Sequence, residues 1–293
     1  MKNLVFSLNN LMKSNKEDSF ATRAEREKHL RKSMMEILEK YNNLNDVKQL
    51  KTRHIEYLVE RWKNKGLSPG TIKNQLSYLR WLSRKINKPN IVRRNNSEYN
   101  VDKRTYVNNE NKGKTLNSSK MALIKEKNPS IYYSLRLQEQ FGLRREESIK
   151  FQPEYADKGD HIILKQSWCK GGRPRTIPVE TFEQRMLLDE ITIFCKNQNS
   201  PSLIPKDHSY YNQLKAYEYL TTTMGEIKNH GNRHQYAQDI YEKLTGMKPP
   251  VRGGKTYREM TKEERDIDRQ ARLEISKRLG HNREEITAVY LGR

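Results

Sequence analysis

Between about residues 20 and 90 the apolar positions recur three and four apart and glycine is scarce, so this stretch is predicted to be all-helical. Its clearest element opens at Leu67-Ser68-Pro69. Ser68 can cap free backbone N–H groups, Pro69 suits the first helical position, and Leu67 can staple onto Ile72. Ile72, Leu76, Leu79, Leu82 and Ile86 then line one buried face and leave Lys73, Arg80, Arg84 and Lys85 available for a polyanion, although for any single one of them plain solvation is the commoner role.

From Asn87 to Lys114 the chain turns polar and basic with almost nothing to bury, which reads as a linker with a boundary near 100–115. A second helical stretch opens at Asn117-Ser118-Ser119. Pro129 divides it, and its second part carries Tyr132, Leu135, Leu137 and Phe141 before Gly142 interrupts. HIILKQSW and RPRTIPV are strand-like runs bracketing Cys169-Lys170-Gly171-Gly172, which predicts a β-hairpin with a glycine turn. Helical patterns resume from about residue 180, broken by TGMKPPVRGGK. The expected fold is mainly α with a small β-hairpin (α+β), in an N-terminal arm (1–20), a helical domain (21–100), a linker (101–115) and a second domain (116–293).

Charge narrows the partner. The 293 residues carry 57 Lys and Arg against 36 Asp and Glu, a formal net charge of +21. Nucleic acid is the commonest polyanion for such a chain, because each phosphate contact releases condensed counterions. The basic residues are spread along the whole sequence rather than gathered on one amphipathic helix, which disfavours a membrane surface. Cys169 and Cys195 show no metal-ligand spacing and fit a reducing compartment. The N-terminus fails as a secretory signal, and no run of about 18 apolar residues suggests a membrane span. A soluble, cytoplasmic protein is expected.

Four islands in the second half carry chemistry. Gly142-Leu143-Arg144-Arg145-Glu146-Glu147 restarts a helix at Arg144, with Glu147 three residues on to hold it; alone it is more often an ordinary surface pair. Lys170 sits at the predicted hairpin tip, followed by Arg173. His230-Gly231-Asn232-Arg233-His234 places His230 and Arg233 one helical turn apart. Leu279-Gly280-His281 precedes Tyr290 by nine residues, a cheap spacing in a chain with 16 tyrosines. Taken in order, the four are far more specific than any one.

That order resembles the catalytic domain of the tyrosine recombinases, the family of phage integrases and chromosome-dimer resolvases. GLRREE, KGGRPRTIPV, HGNRH and LGHNREEITAVYLG match its motifs over roughly residues 116–293, and LSPGTIKNQLSYLRWL resembles part of its helical core-binding domain. The resemblance implies a site-specific DNA strand-exchange enzyme with Tyr290 as nucleophile, acting on double-stranded DNA as a homotetramer on two sites and existing as monomer or dimer when free. Arg144 and Arg233 suit the nonbridging phosphate oxygens, since guanidinium forks grip phosphate bidentately. By resemblance, His281 adds a further hydrogen bond, His230 accepts the tyrosine proton and Lys170 protonates the departing 5′ hydroxyl, with Glu147 and His234 in support. No metal or other cofactor is implied.

Two features depart from the family pattern. Arg233 and His281 are 48 residues apart, about twice the expected interval, owing to TGMKPPVRGGKTYREMTKEERDID around residues 245–268. This piece is either a DNA or protomer contact or a tolerated surface insertion. Only three residues follow Tyr290, so it is expected to be anchored by the helix leading into it, and any coupling between protomers to use a surface other than a tail. Two other functions fit the same residues: an idle DNA-binding protein on this fold, and a type IB topoisomerase-like relaxing enzyme.

Overall fold

The computed structural model describes residues 3–107, 109–281 and 283–293. It divides into two units, Met1–Thr105 and Tyr106–Arg293, each with apolar clusters of its own.

The first unit contains α1 (Asn3–Ser14), α2 (Phe20–Lys40), α3 (Thr52–Asn64) and α4 (Pro69–Lys85). Ser68 accepts the N–H of Thr71 at 3.3 Å and Pro69 occupies the first turn of α4, so this helix starts where its sequence signals said. Ile72, Leu76, Leu79, Leu82 and Ile86 are buried, packed with Leu30, Met34 and Ile37 of α2 and Ile55, Leu58 and Trp62 of α3. The segment expected as an arm behaves differently. From Asn3 to Ser14 it is helical, and Leu4, Val5, Leu8 and Met12 are buried in the same core; Met1 and Lys2 lie outside the described residues. Four apolar side chains at helical spacing give this stretch a face to bury, which a free arm would not have.

The second unit runs α5 (Ser118–Lys127), α6 (Pro129–Phe141), α7 (Arg145–Ile149), α8 (Pro153–Ala156), β1 (His161–Leu164), β2 (Arg175–Pro178), α9 (Phe182–Asn197), α10 (Tyr210–Thr223), α11 (His230–Thr245), α12 (Lys262–Arg278) and α13 (Ala288–Leu291). Asn117 caps α5, and Asn128 ends α5 while capping α6. β1 and β2 pair antiparallel, from His161 opposite Pro178 to Leu164 opposite Arg175. The hairpin is thus shorter than the sequence suggested, and its loop spans 165–174. Trp168 and Cys169 turn inward and are buried, which converts Gln166–Trp168 into a 3-10 turn and ends the ladder early. Around the hairpin, α6 and α9 share one apolar cluster; α11, α12 and α13 share another, which includes Tyr290.

Candidate active site

The site begins at the end of α6. Gly142 caps that helix in the left-handed region (φ 59°), and the reversed chain sets Arg144 at the N-cap of α7 with Glu147 in its first turn. Glu147 accepts the Arg144 backbone N–H at 2.6 Å and its Nη1 at 2.8 Å. From β2, Arg175 points inward on the face it shares with Ile177. Its Nη1 and Nη2 donate to the two Glu147 oxygens at 2.7 and 2.6 Å, and its Nε donates to the carbonyl of Arg278 at 2.8 Å. Glu147 is wholly buried. Burial alone would push its carboxyl up, but the Arg175 hydrogen bonds and the charges of Arg175, Arg144 and Arg233 hold it at about 2.

Arg233 enters from the first turn of α11 and is 1 % exposed. Nη1 donates to the Gly142 carbonyl at 2.5 Å, Nη2 to the Leu279 carbonyl, and Nε to the Tyr290 hydroxyl at 3.3 Å. Arg144 Nη2 reaches the same Leu279 carbonyl at 3.1 Å. One backbone oxygen therefore gathers both guanidinium groups. Burial first, then Arg144 and Arg175, lower the Arg233 pKa to about 10, which leaves it a cation at neutral pH. Among the described residues three of its five N–H groups are used, which leaves two that could serve an incoming anion.

Three histidines surround the Tyr290 ring. His234 lies 4.7 Å away between ring centroids, His230 6.2 Å and His281 6.3 Å. All three are pressed toward the neutral form. For His281, burial and then Arg233 and Arg144 lower the pKa to about 4; for His234, burial and then His230 bring it to about 4. For His230 partial desolvation and then Arg233 and Arg144 act in the same direction. Among the described residues, His281 Nε2 is buried with no partner. A buried nitrogen in that state needs a hydrogen bond that a bound ligand can supply.

Tyr290 is held differently from the expectation that a helix leading into it would anchor it. The turn before it is 3-10, Glu284–Thr287, and α13 is short. The anchor is backbone to side chain. Gln238 Nε2 donates to the Tyr290 carbonyl at 3.1 Å, and Arg272, paired with Asp268, donates to the Gly292 carbonyl at 3.1 Å. Asn109 accepts the Arg293 N–H at 3.0 Å.

The structure thus brings together Arg144, Glu147, His230, Arg233, His234, His281 and Tyr290. Lys170 and Arg173 stand exposed in the 165–174 loop, outside this network. In the first unit, Arg84 is exposed and Lys73 half-buried. Arg80 and Lys85 are engaged within the unit: Arg80 donates to the Arg93 carbonyl at 3.0 Å and to Asn96 at 2.7 Å, and Lys85 pairs with Glu17 at 2.5 Å. Sequence reading missed Arg175, Gln238 and Arg272. Strand alternation carried a signal for Arg175, which sits on the apolar face two residues before Ile177. Among the described residues, no three His, Cys, Asp or Glu side chains are grouped to hold a metal ion, and no helix is long and apolar enough to cross a membrane.

Residues 1–92 match the family model described as phage integrase, N-terminal, and residues 103–239 the model described as integrase; together they span most of the chain. The second match takes in Arg144, Lys170, His230 and Arg233 and stops before His281 and Tyr290. Comparison with curated proteins gives no match. Among solved structures, lambda integrase as a tetramer bound to a Holliday junction aligns over 97% of this chain and 75% of its own, at 13% identity and a TM-score of 0.59. The Tn1549 transposon integrase in complex with transposon right end DNA aligns over 100% and 95%, at 14% and 0.55. The XerH site-specific recombinase bound to palindromic difH substrate aligns over 98% and 80%, at 16% and 0.58. At these identities the likeness is one of fold.

Proposed function

The chain belongs to the tyrosine recombinase family, which includes the phage integrases, and from that premise we propose that it cleaves and rejoins DNA through a covalent bond between Tyr290 and a 3′ phosphate. The observation that carries this is the seat of the Tyr290 side chain, its hydroxyl 3.3 Å from Nε of a fully buried arginine and its ring flanked by three histidines held toward neutrality.

In attack on a phosphodiester, negative charge grows on the nonbridging oxygens, and fixed donors stabilise it where it develops. Arg144 and the free N–H groups of Arg233 serve those oxygens, and the unpartnered Nε2 of His281 supplies a further hydrogen bond. A phenol is a weak nucleophile until its proton leaves. His230, held toward the neutral form, accepts that proton, and Lys170 on its exposed loop protonates the departing 5′ hydroxyl. Glu147 and Arg175 hold Arg144 in place. The substrate is double-stranded DNA bound at specific sites, and the working assembly is a tetramer on two duplexes, as lambda integrase is on its Holliday junction. The biological role we infer is integration or excision of a mobile element.

The test is a nicked suicide duplex carrying the chain's site. Tyr290→Phe is expected to bind it with unchanged affinity and to form no protein–DNA adduct; an adduct of wild-type yield would remove Tyr290 from the reaction. Site-independent relaxation of supercoiled plasmid by the wild-type chain would favour a topoisomerase instead.

A further inference from the structure

The segment that lengthens the interval between Arg233 and His281 folds back onto the site. After Gly246 ends α11, the backbone makes a tight turn at 249–254, in which the Pro249 carbonyl accepts the N–H of Arg252 at 2.8 Å and of Gly254 at 3.1 Å. Arg252 then spreads its guanidinium over one turn of α11. Nε donates to Gln238 Oε1, Nη1 to Glu242 Oε1 and Nη2 to Asp239 Oδ1, each at 2.7 Å. An exposed basic loop seeking DNA would keep this cation free; here it is spent inside the chain.

The contact to Gln238 has a directional consequence. An amide offers a carbonyl on one side and two N–H donors on the other. With its Oε1 fixed on Arg252, Gln238 must aim its Nε2 away, and that nitrogen donates to the Tyr290 carbonyl at 3.1 Å and to Asn111 Oδ1 at 3.0 Å. Gln238 is wholly buried, so no water competes for these bonds. The same turn touches the chain beyond Tyr290. A Cβ at residue 292, where glycine takes φ 79°, would lie 3.0 Å from Val251 Cγ1 and 3.2 Å from Pro250 Cβ.

We infer that Arg252, acting through Gln238, is a positioning residue that seats Tyr290 in the site of its own chain; this rests on Tyr290 being the nucleophile. It gives the 249–254 turn, within the insertion around residues 245–268, a part in placing the nucleophile. A misplacement of about 1 Å in a reacting group can cost on the order of a hundredfold in rate, so loosening this contact shows in the cleavage step rather than in binding.

The experiment uses the full chain, Arg252→Ala and Gln238→Glu. Gln238→Glu keeps the acceptor for Arg252 and removes the donor to the Tyr290 carbonyl, whereas Arg252→Ala leaves that donor in place and frees the amide to turn. Two readouts are taken: amide hydrogen exchange over residues 286–293 without DNA, and adduct formation on the nicked duplex at saturating DNA. Both variants are expected to exchange faster over that segment and to form adduct roughly tenfold more slowly or worse, with DNA affinity unchanged; Gln238→Glu, whose buried carboxylate oxygen faces two acceptors, is also expected to melt lower, and Arg252→Ala, whose acidic partners Asp239 and Glu242 reach solvent, to melt closer to wild type. Wild-type exchange and wild-type adduct rates in both variants would overturn the inference, as would a loss confined to DNA affinity. Because exchange is measured without DNA, failure of the wild-type chain to form any adduct is distinguishable, and would overturn the nucleophile assignment instead.

Discussion

Glu147 is an anion without exposed surface, and its neighbours set what its loss would do. Replacing it with glutamine leaves Arg175, itself 8 % exposed, as a buried cation lacking its partner. Breaking a buried pair from one side costs about 3–5 kcal/mol, so Glu147→Gln is expected to lower the urea midpoint of the second unit sharply and to abolish adduct formation; an unchanged midpoint would contradict this account. Burial of these groups implies a pH dependence. His234 binds a proton near 6.5 when unfolded but only near 4 when folded, so the unfolded chain takes up more protons between those values and stability falls as the pH drops from 6.5 to 4. The ceiling for this buried group is about 3 kcal/mol, and His281 adds in the same direction. Glu147 opens a second window below: its stabilisation is whole above about 4.5 and is lost as the pH falls toward 2. Urea midpoints taken from neutral pH downward should decline steadily through both windows. At this scale the sequence revealed the residues whose types and order are chemically distinctive. Arg175 and Gln238 stayed hidden because their roles depend on partners 28 and 52 residues away, Glu147 and Tyr290, which no local pattern joins.

The helices were legible because their signals are local: Ser68 with Pro69, Asn117, Pro129 and Gly142 each mark an end through one backbone hydrogen bond or one dihedral. The hairpin was less so, since burial of Trp168 and Cys169 under neighbouring elements decided where its strands stop. Gly142 shows how one element boundary places chemistry. Its φ is 59°, and a Cβ there would lie 2.5 Å from Cδ1 of Tyr236. Its carbonyl also accepts Arg233 Nη1. Gly142→Ala must therefore move either α11 or the turn into α7, and with it Arg144 or Arg233. Overpacking of this kind costs about 1–3 kcal/mol, and cleavage is expected to fall further than that loss of stability explains. A variant that melts lower yet cleaves at the wild-type rate would show that the two arginines tolerate the shift.

At the scale of the molecule, the mainly helical character and the net charge of +21 were both readable from the sequence, because hydrophobic periodicity and charge are sums over many residues. Which cations meet DNA was not readable, since that depends on which are already spent. Each phosphate neutralised releases counterions, so affinity is expected to fall linearly in log–log form with salt, losing about a thousandfold or more between about 50 and 200 mM if six or more phosphates are held. The folded first unit separates two arginines that its sequence left equivalent. Arg84 is exposed, whereas Arg80 ties α4 to the Arg93–Asn96 segment. Arg84→Ala is then expected to reduce the magnitude of the salt slope by about one unit with no change in melting. Arg80→Ala should lower the melting temperature of the first unit and leave the slope of the folded protein nearly unchanged. Equal slopes for Arg84→Ala and the wild-type chain would place the DNA on another face of that unit, because a cation that is free and close to phosphate must register in the number of ions released.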